Sequence, residues 1–183
     1  VLAVASVEQI TLSRIIGYCL HKQQQWADEL VEDRAREAAL EAAGQAHSAE
    51  MAETWTDLGA VELELEHTEV AITYYARALA LLEQIVGVND VRLADSLGHL
   101  GEAELVARRP ARAIPPLERA LQLELAAHAP SLQLADVQFP LGKALWPSPR
   151  GRQLVEQARV AFASGGEPFA PYLDRVVGWQ RAH

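Results

Sequence analysis

Six histidines, one cysteine, 25 carboxylates and 16 Lys/Arg side chains are what this 183-residue chain has to do chemistry with. His21, His47, His67, His99, His128 and His183 form no His-Glu-x-x-His or His-x-His pair, and the single Cys19 can build neither a thiolate zinc cluster nor an intrachain disulfide. A serine nucleophile would want Gly-x-Ser-x-Gly on a strand-to-helix elbow, which does not occur. A phosphate-gripping loop would need glycine five positions ahead of Gly142-Lys143, where Val137 stands. No catalytic, metal or cofactor site is therefore expected. Two features remain. His99 precedes Leu100-Gly101 and is expected as a solvated or helix-capped imidazole. Glu62, Glu64, Glu66 and Glu69 form an acidic cluster in which Glu62 and Glu66 stand four apart; on a helix such a like-charge pair costs about 0.2–0.5 kcal/mol. The cluster is either a solvated edge or a docking patch for a basic segment.

The elements that must carry these side chains are helices. Alanine, leucine and glutamate dominate, aromatics are sparse, and β-branched residues rarely alternate with polar ones. An all-α chain follows, and a β-sandwich or barrel is excluded. The formal net charge of −9 opposes the phosphate attraction on which nucleic-acid binding depends. It is also unevenly spread. From Gln23 to Glu69 there are 13 acids and two bases, whereas from Val106 to His183 ten bases outnumber six acids. No apolar run is long enough to span a membrane. Val1–Ser6 has neither methionine nor a basic stretch, so it reads as a cut from a longer chain or as the tail of a signal segment. Cys19, among Ile15, Ile16 and Leu20, reads as a small buried hydrophobe.

Sliding the sequence against itself by 42 positions places Trp55, Leu58, Gly59, Glu62, Ala71, Tyr75 and Ala78 on Leu97, Leu100, Gly101, Glu104, Ala113, Leu117 and Ala120. Large residues meet large and small meet small. The order describes a helical hairpin: Trp55, Leu58 and Leu65 share one face of a first helix, and Ala71, Tyr75, Ala78 and Leu82 share one face of a second. Gly59 and Gly101 cost helix propensity, about 1 kcal/mol each relative to Ala, which calls for a packing reason. Gly87-Val88-Asn89-Asp90 and Ala129-Pro130-Ser131 supply stops between hairpins, and Arg109-Pro110 a turn within one. Pro115 and Pro116 are expected in the first turn of the following helix.

This pattern resembles the tetratricopeptide repeat, and the period of 42 resembles its kinesin-light-chain-like subtype with longer helices. Glu62 and Glu104 depart from it, standing where Tyr or Leu is usual. The resemblance implies an α-solenoid of antiparallel hairpins, about nine helices in a right-handed superhelix. Repeats are expected at about 52–86 and 94–128, with a degenerate one at 134–164 having a shortened second helix and a first helix bent at Pro140. A capping helix over 167–182 completes a solenoid over 47–183, and residues 1–46 are expected to form a degenerate or capping helical pair. It further implies a module that binds a peptide or partner protein in a groove lined by Glu53, Thr56, Leu63, Asp95, Gly98, His99, Glu102 and Leu105. Members that clamp a C-terminal carboxylate carry Lys, Arg and Asn there, whereas this chain has Glu53 and Asp95, so a basic or mixed segment is expected over an acidic one. The asparagine pair frequent in the subtype is replaced by Thr56-Asp57 and Gly98-His99, which removes its usual grip on a peptide backbone. The run 134–183 also resembles the repeat regions of bacterial serine/threonine protein kinases. That implies a cytoplasmic signalling protein with a kinase domain ahead of Val1, on which this segment would act.

Overall fold

The computed structural model describes residues 7–183, so the expectation for Val1–Ser6 lies outside the described residues. Among those described there are nine α-helices, one 3-10 turn and no strand. The chain divides into two compact units, one ending at Val88 and the other beginning at Asn89. The first contains α1 (Val7–Lys22), α2 (Trp26–Ala42), α3 (Ala49–Glu64) and α4 (Thr68–Val86). The second contains α5 (Leu93–Val106), α6 (Pro110–Ala126), α7 (Ser131–Ala144), α8 (Pro149–Ser164), the 3-10 turn Glu167–Phe169 and α9 (Ala170–Ala182). The hairpins are α1/α2, α3/α4, α5/α6 and α7/α8, with α9 packed on α8.

The 42-residue period is visible in the backbone, and it reaches further upstream than the side chains suggest. Gln24, Glu66 and Arg108 take left-handed conformations with φ of 56°, 64° and 58°. The amides that follow, of Gln25, His67 and Arg109, donate to the carbonyls of Leu20, Glu62 and Glu104 at 3.0, 2.8 and 2.8 Å. These bonds satisfy carbonyls left open at each first-helix end and reverse the chain. Three hairpins therefore share one turn at one spacing, the first of them made by α1 and α2.

The glycines explain the close approach of the paired helices. A Cβ on Gly59 would lie 2.7 Å from Tyr75 Cε1, and one on Gly101 would lie 2.7 Å from Leu117 Cδ2. Gly17, a further 42 residues upstream, faces Asp33 Oδ1 at 3.0 Å by the same measure. Around these contacts Leu58, Ala71, Tyr75 and Ala78 are buried in one unit, and Leu97, Ala113, Leu117 and Ala120 in the other. Apolar clusters centred on Leu40, Met51 and Ala52 and on Ala135, Val155 and Phe162 complete the two cores. Burial of this apolar area, at about 25 cal/mol per Å², is the main favourable contribution to folding.

Three expectations are corrected. Pro110 takes the first position of α6, so Pro115 and Pro116 stand inside the helix and not in its first turn. Their missing N–H groups leave the carbonyls of Ala111 and Arg112 without intrahelical donors, which is tolerable because both residues are exposed to water. The second helix of the 134–164 hairpin is not shortened: α8 has 16 residues against 17 for α6. What shortens is the spacing from glycine to its partner side chain, 16 residues in Gly101/Leu117 but 13 in Gly142/Val155. Cys19 is exposed, on a helix whose Leu12 and Ile15 are also more than half exposed. Packing of α1 on α2 is made instead through Ile10 and Gly17, both buried. No helix among the described residues is long and apolar enough to cross a membrane.

Candidate functional site

Helix α5 places Asp95, Gly98, His99 and Glu102 at i, i+3, i+4 and i+7, hence on one face. In the second unit this face lines a cavity of about 540 Å³. The loop before α5 adds Val91 and Arg92, α6 adds Glu124, α7 adds Gln133, Asp136 and Val137, and α9 adds Tyr172 and Arg175. Four carboxylates thus converge with two guanidiniums and one imidazole. Most of the surface charges are paired: His99 Nε2 lies 3.6 Å from Asp95, Arg175 lies 3.9 Å from Glu102, and Arg92 binds Asp90 through two nitrogens at 2.8 and 2.9 Å. The hydrogen bond from His99 holds the Asp95 carboxyl below its usual range.

Glu124 differs from these acids in being 4 % exposed. The Gln133 side chain hydrogen-bonds its carboxylate, but Oε2 has no partner. Burial, reinforced by Asp136 and Asp95, pushes its carboxyl up to about 7. Burial also raises Asp136, with Glu102 and Asp95 adding to the effect and Arg175 opposing it.

A second charged cluster lies wholly within the first unit. Arg14, Gly17, Tyr18, His21 and Lys22 of α1, Glu29 and Asp33 of α2, and Asp57 and Ala60 of α3 line about 370 Å³. Arg36, 1 % exposed, pairs with Asp33 at 3.3 Å and with Asp57 at 2.5 Å. His21 Nδ1 meets Glu29 Oε1 at 3.1 Å. Desolvation pushes the Asp33 carboxyl up to about 7 despite Arg36, because Asp57, Glu29 and Glu32 repel its charge. It raises Glu29 too, against the pull of His21.

The expected groove residues are therefore divided. Asp95, Gly98, His99 and Glu102 come together in one cavity, while Leu105 is half-buried outside its lining. In the first unit Glu53 is exposed beside Arg14 at 3.9 Å, the Thr56 hydroxyl donates to the Ala52 carbonyl of its own helix, and Leu63 is half-buried. None of these three lines the first unit's cavity, to which α3 contributes Asp57 and Ala60. The acidic cluster needs a correction. Glu62 is 2 % exposed and cannot belong to a surface patch, because Arg34 at 3.0 Å and His67 at 2.7 Å take its carboxylate into the hairpin. Glu64, Glu66 and Glu69 remain exposed. Among the described residues no group of three His, Cys, Asp or Glu side chains is placed to hold a metal ion.

The tetratricopeptide repeat family model matches residues 50–123, which takes in α3 to α6 nearly whole. Over these residues the chain is similar to tetratricopeptide repeats. Solved structures extend the likeness over almost the whole chain. BtubC (BKLC) from P. vanneervenii aligns with a TM-score of 0.71 at 15 % identity, covering 95 % of this chain and 65 % of its own. The kinesin-light-chain TPR-like repeats of Podosopora anserina align at 0.69 and 13 %, covering 96 % and 87 %. A Rap protein complexed with competence and sporulation factor aligns at 0.75 and 14 %, covering 94 % of this chain and 49 % of its own. At these identities the likeness is one of fold, a TPR-like solenoid of helical hairpins. The chain spans about two-thirds of BtubC and half of the Rap protein. No curated protein matches it.

Within the matched stretch, the two acids that depart from the usual repeat pattern share one role. Glu62 pairs with His67 and Glu104 with Arg109 at 3.9 Å, in each case a buried first-helix carboxylate facing the basic residue that opens the second helix. The charged centre of the α1/α2 hairpin escaped the sequence reading. Glu29, Asp33 and Arg36 occupy the positions of Ala71, Tyr75 and Ala78, so the match of residue types fails there. Ile16-Gly17, 42 residues before Leu58-Gly59, was the signal that could have found it.

Proposed function

We propose that this chain is a tetratricopeptide scaffold that binds a peptide or partner protein on its first-helix face, and that it favours basic or mixed segments over acidic ones. The observation that carries this reading is the α5 face, where Asp95, Gly98, His99 and Glu102 open onto a cavity of about 540 Å³. A volume in the range of known ligand pockets, lined by converging charged groups with Val91, Val137 and Tyr172 among them, suits an anchoring side chain. The tetratricopeptide fold is an interaction scaffold and not itself a catalytic one, and a fold neighbour is complexed with competence and sporulation factor. The acidic excess disfavours nucleic acid as a partner. The exposed Glu64, Glu66 and Glu69 supply a second acidic surface for a basic partner.

The test is fluorescence anisotropy with three labelled nonapeptide pools, rich in Lys/Arg, mixed, or rich in Asp/Glu. The basic and mixed pools are expected to bind and the acidic pool not. Absence of binding by all three, or preference for the acidic pool, would overturn the reading. The narrower context, a cytoplasmic signalling kinase whose catalytic domain this segment regulates, rests on the character of the 134–183 run. Sequencing the gene's full reading frame decides it: a kinase domain upstream supports that context, and any other neighbouring domain removes it.

A further inference from the structure

We propose that the cavity between α5, α6, α7 and α9 is a pocket for one cationic side chain, a lysine or arginine of the bound peptide, with Glu124 as the group that receives it. The inference rests on the peptide-binding reading above and gives it a specific anchor.

Glu124 is buried, lines the cavity, and keeps one carboxylate oxygen, Oε2, without a hydrogen-bond partner. A buried carboxylate left half satisfied is costly unless something meets it. The other charges of the lining do not. Arg92 is held by Asp90, Arg175 lies against Glu102, and His99 against Asp95. Among the described residues, Glu124 and Asp136 have no cation within ion-pair distance. An anionic ligand would meet four carboxylates, and a metal ion would find no three ligands placed for it. An organic cation on an apolar stem fits both parts of the pocket. Its head group would complete Glu124 and Asp136, while its methylenes lie along Val91, Val137 and the Tyr172 ring. Entry of the cation also favours the ionised form of Glu124, whose proton is otherwise held by burial and by Asp136 and Asp95.

The experiment uses the full chain at pH 8, with N-acetyl-arginine amide and N-acetyl-lysine amide as probes and N-acetyl-citrulline amide as the uncharged control. Binding is followed by NMR shifts. A saturable response to at least one cationic probe is expected, with little response to citrulline, and Glu124→Gln should weaken binding at least tenfold. That variant keeps the shape and the Gln133 contact and removes a buried charge, so it should fold at least as stably at pH 8, which thermal melting checks. The basic peptide pool is titrated in parallel. Should the pool bind wild type and Glu124→Gln alike, this proposal falls and the peptide-binding reading stands. Should the amides bind through Glu124 while no peptide pool binds, the cavity is a small-molecule cation site, and both the peptide anchor and the reading fail. Absence of any saturable response to either cationic amide overturns the pocket outright.

Discussion

Glu124 and Arg36 are buried ionisable groups with opposite consequences. In the folded chain Glu124 keeps its proton up to about 7, whereas unfolded it releases it near the ordinary 4.5. The folded state therefore binds more protons between these values, and the contribution of Glu124 to stability falls as pH rises from 4.5 through 7. Glu124→Gln should remove that loss, leaving the variant roughly 1–3 kcal/mol more stable than wild type at pH 8 and little changed at pH 4.5. Urea denaturation at the two pH values checks this, and an equal effect at both would contradict the burial argument. Arg36 is a different case, because it offsets Asp33 and Asp57. Arg36→Met should cost about 3–5 kcal/mol at pH 8, the usual consequence of removing one partner from a buried ion cluster. The cost should shrink toward pH 5, where Asp33, pushed up to about 7, takes up a proton. A loss that does not depend on pH would show that Arg36 acts by packing alone.

Helix pairs are held at the glycines, and α5 contains a controlled comparison. Gly101 and Gly98 stand three residues apart on it, yet a Cβ at Gly101 would meet Leu117 whereas one at Gly98 meets nothing within 4 Å. Gly101→Ala should destabilise by about 1–3 kcal/mol through overpacking. Gly98→Ala should stabilise by up to about 1 kcal/mol through helix propensity alone. Chemical denaturation of both variants reads the difference, and like signs would reject the assigned interface. Ala113, fully buried where α6 meets α5, should tolerate tryptophan no better. Ala113→Trp is expected to lower the melting temperature by several degrees or more, on the order of 1–3 kcal/mol. An unchanged melting point would mean that the helix crossing lies elsewhere. The central hairpins were readable because Trp55, Leu58, Gly59 and their partners signal packing by size and spacing, which one chain is enough to reveal. The α1/α2 hairpin was hidden because Glu29, Asp33 and Arg36 bury charge where size would otherwise have matched. Glu62 looked like surface for the same reason: a carboxylate reads as exposed until its partners, Arg34 and His67, are seen beside it. Cys19 failed in the opposite sense, since apolar neighbours in sequence do not say which side of a terminal helix is covered.

For the molecule as a whole, four hairpins in two units, three of them sharing one turn and spacing, carry an unequal distribution of charge. The sequence showed the acidic excess and named Asp95, Gly98, His99 and Glu102 from one helix face. It could not show that Glu124, Gln133, Asp136 and Arg175 from three other helices close the same cavity, because no local spacing links them. Electrostatic complementarity to a basic segment predicts binding that weakens from low salt to about 0.5 M, as exposed charges are screened. The central claim is that the first-helix face of α5 receives the partner. The direct measurement is NMR shift mapping of the isotopically labelled chain with the tightest-binding basic peptide. Perturbations confined to Asp95–Glu102 and the facing residues of α7 and α9, and weakened at high salt, are the predicted result. Perturbations on the outward faces of α6 and α8, with the α5 face silent, would contradict the account.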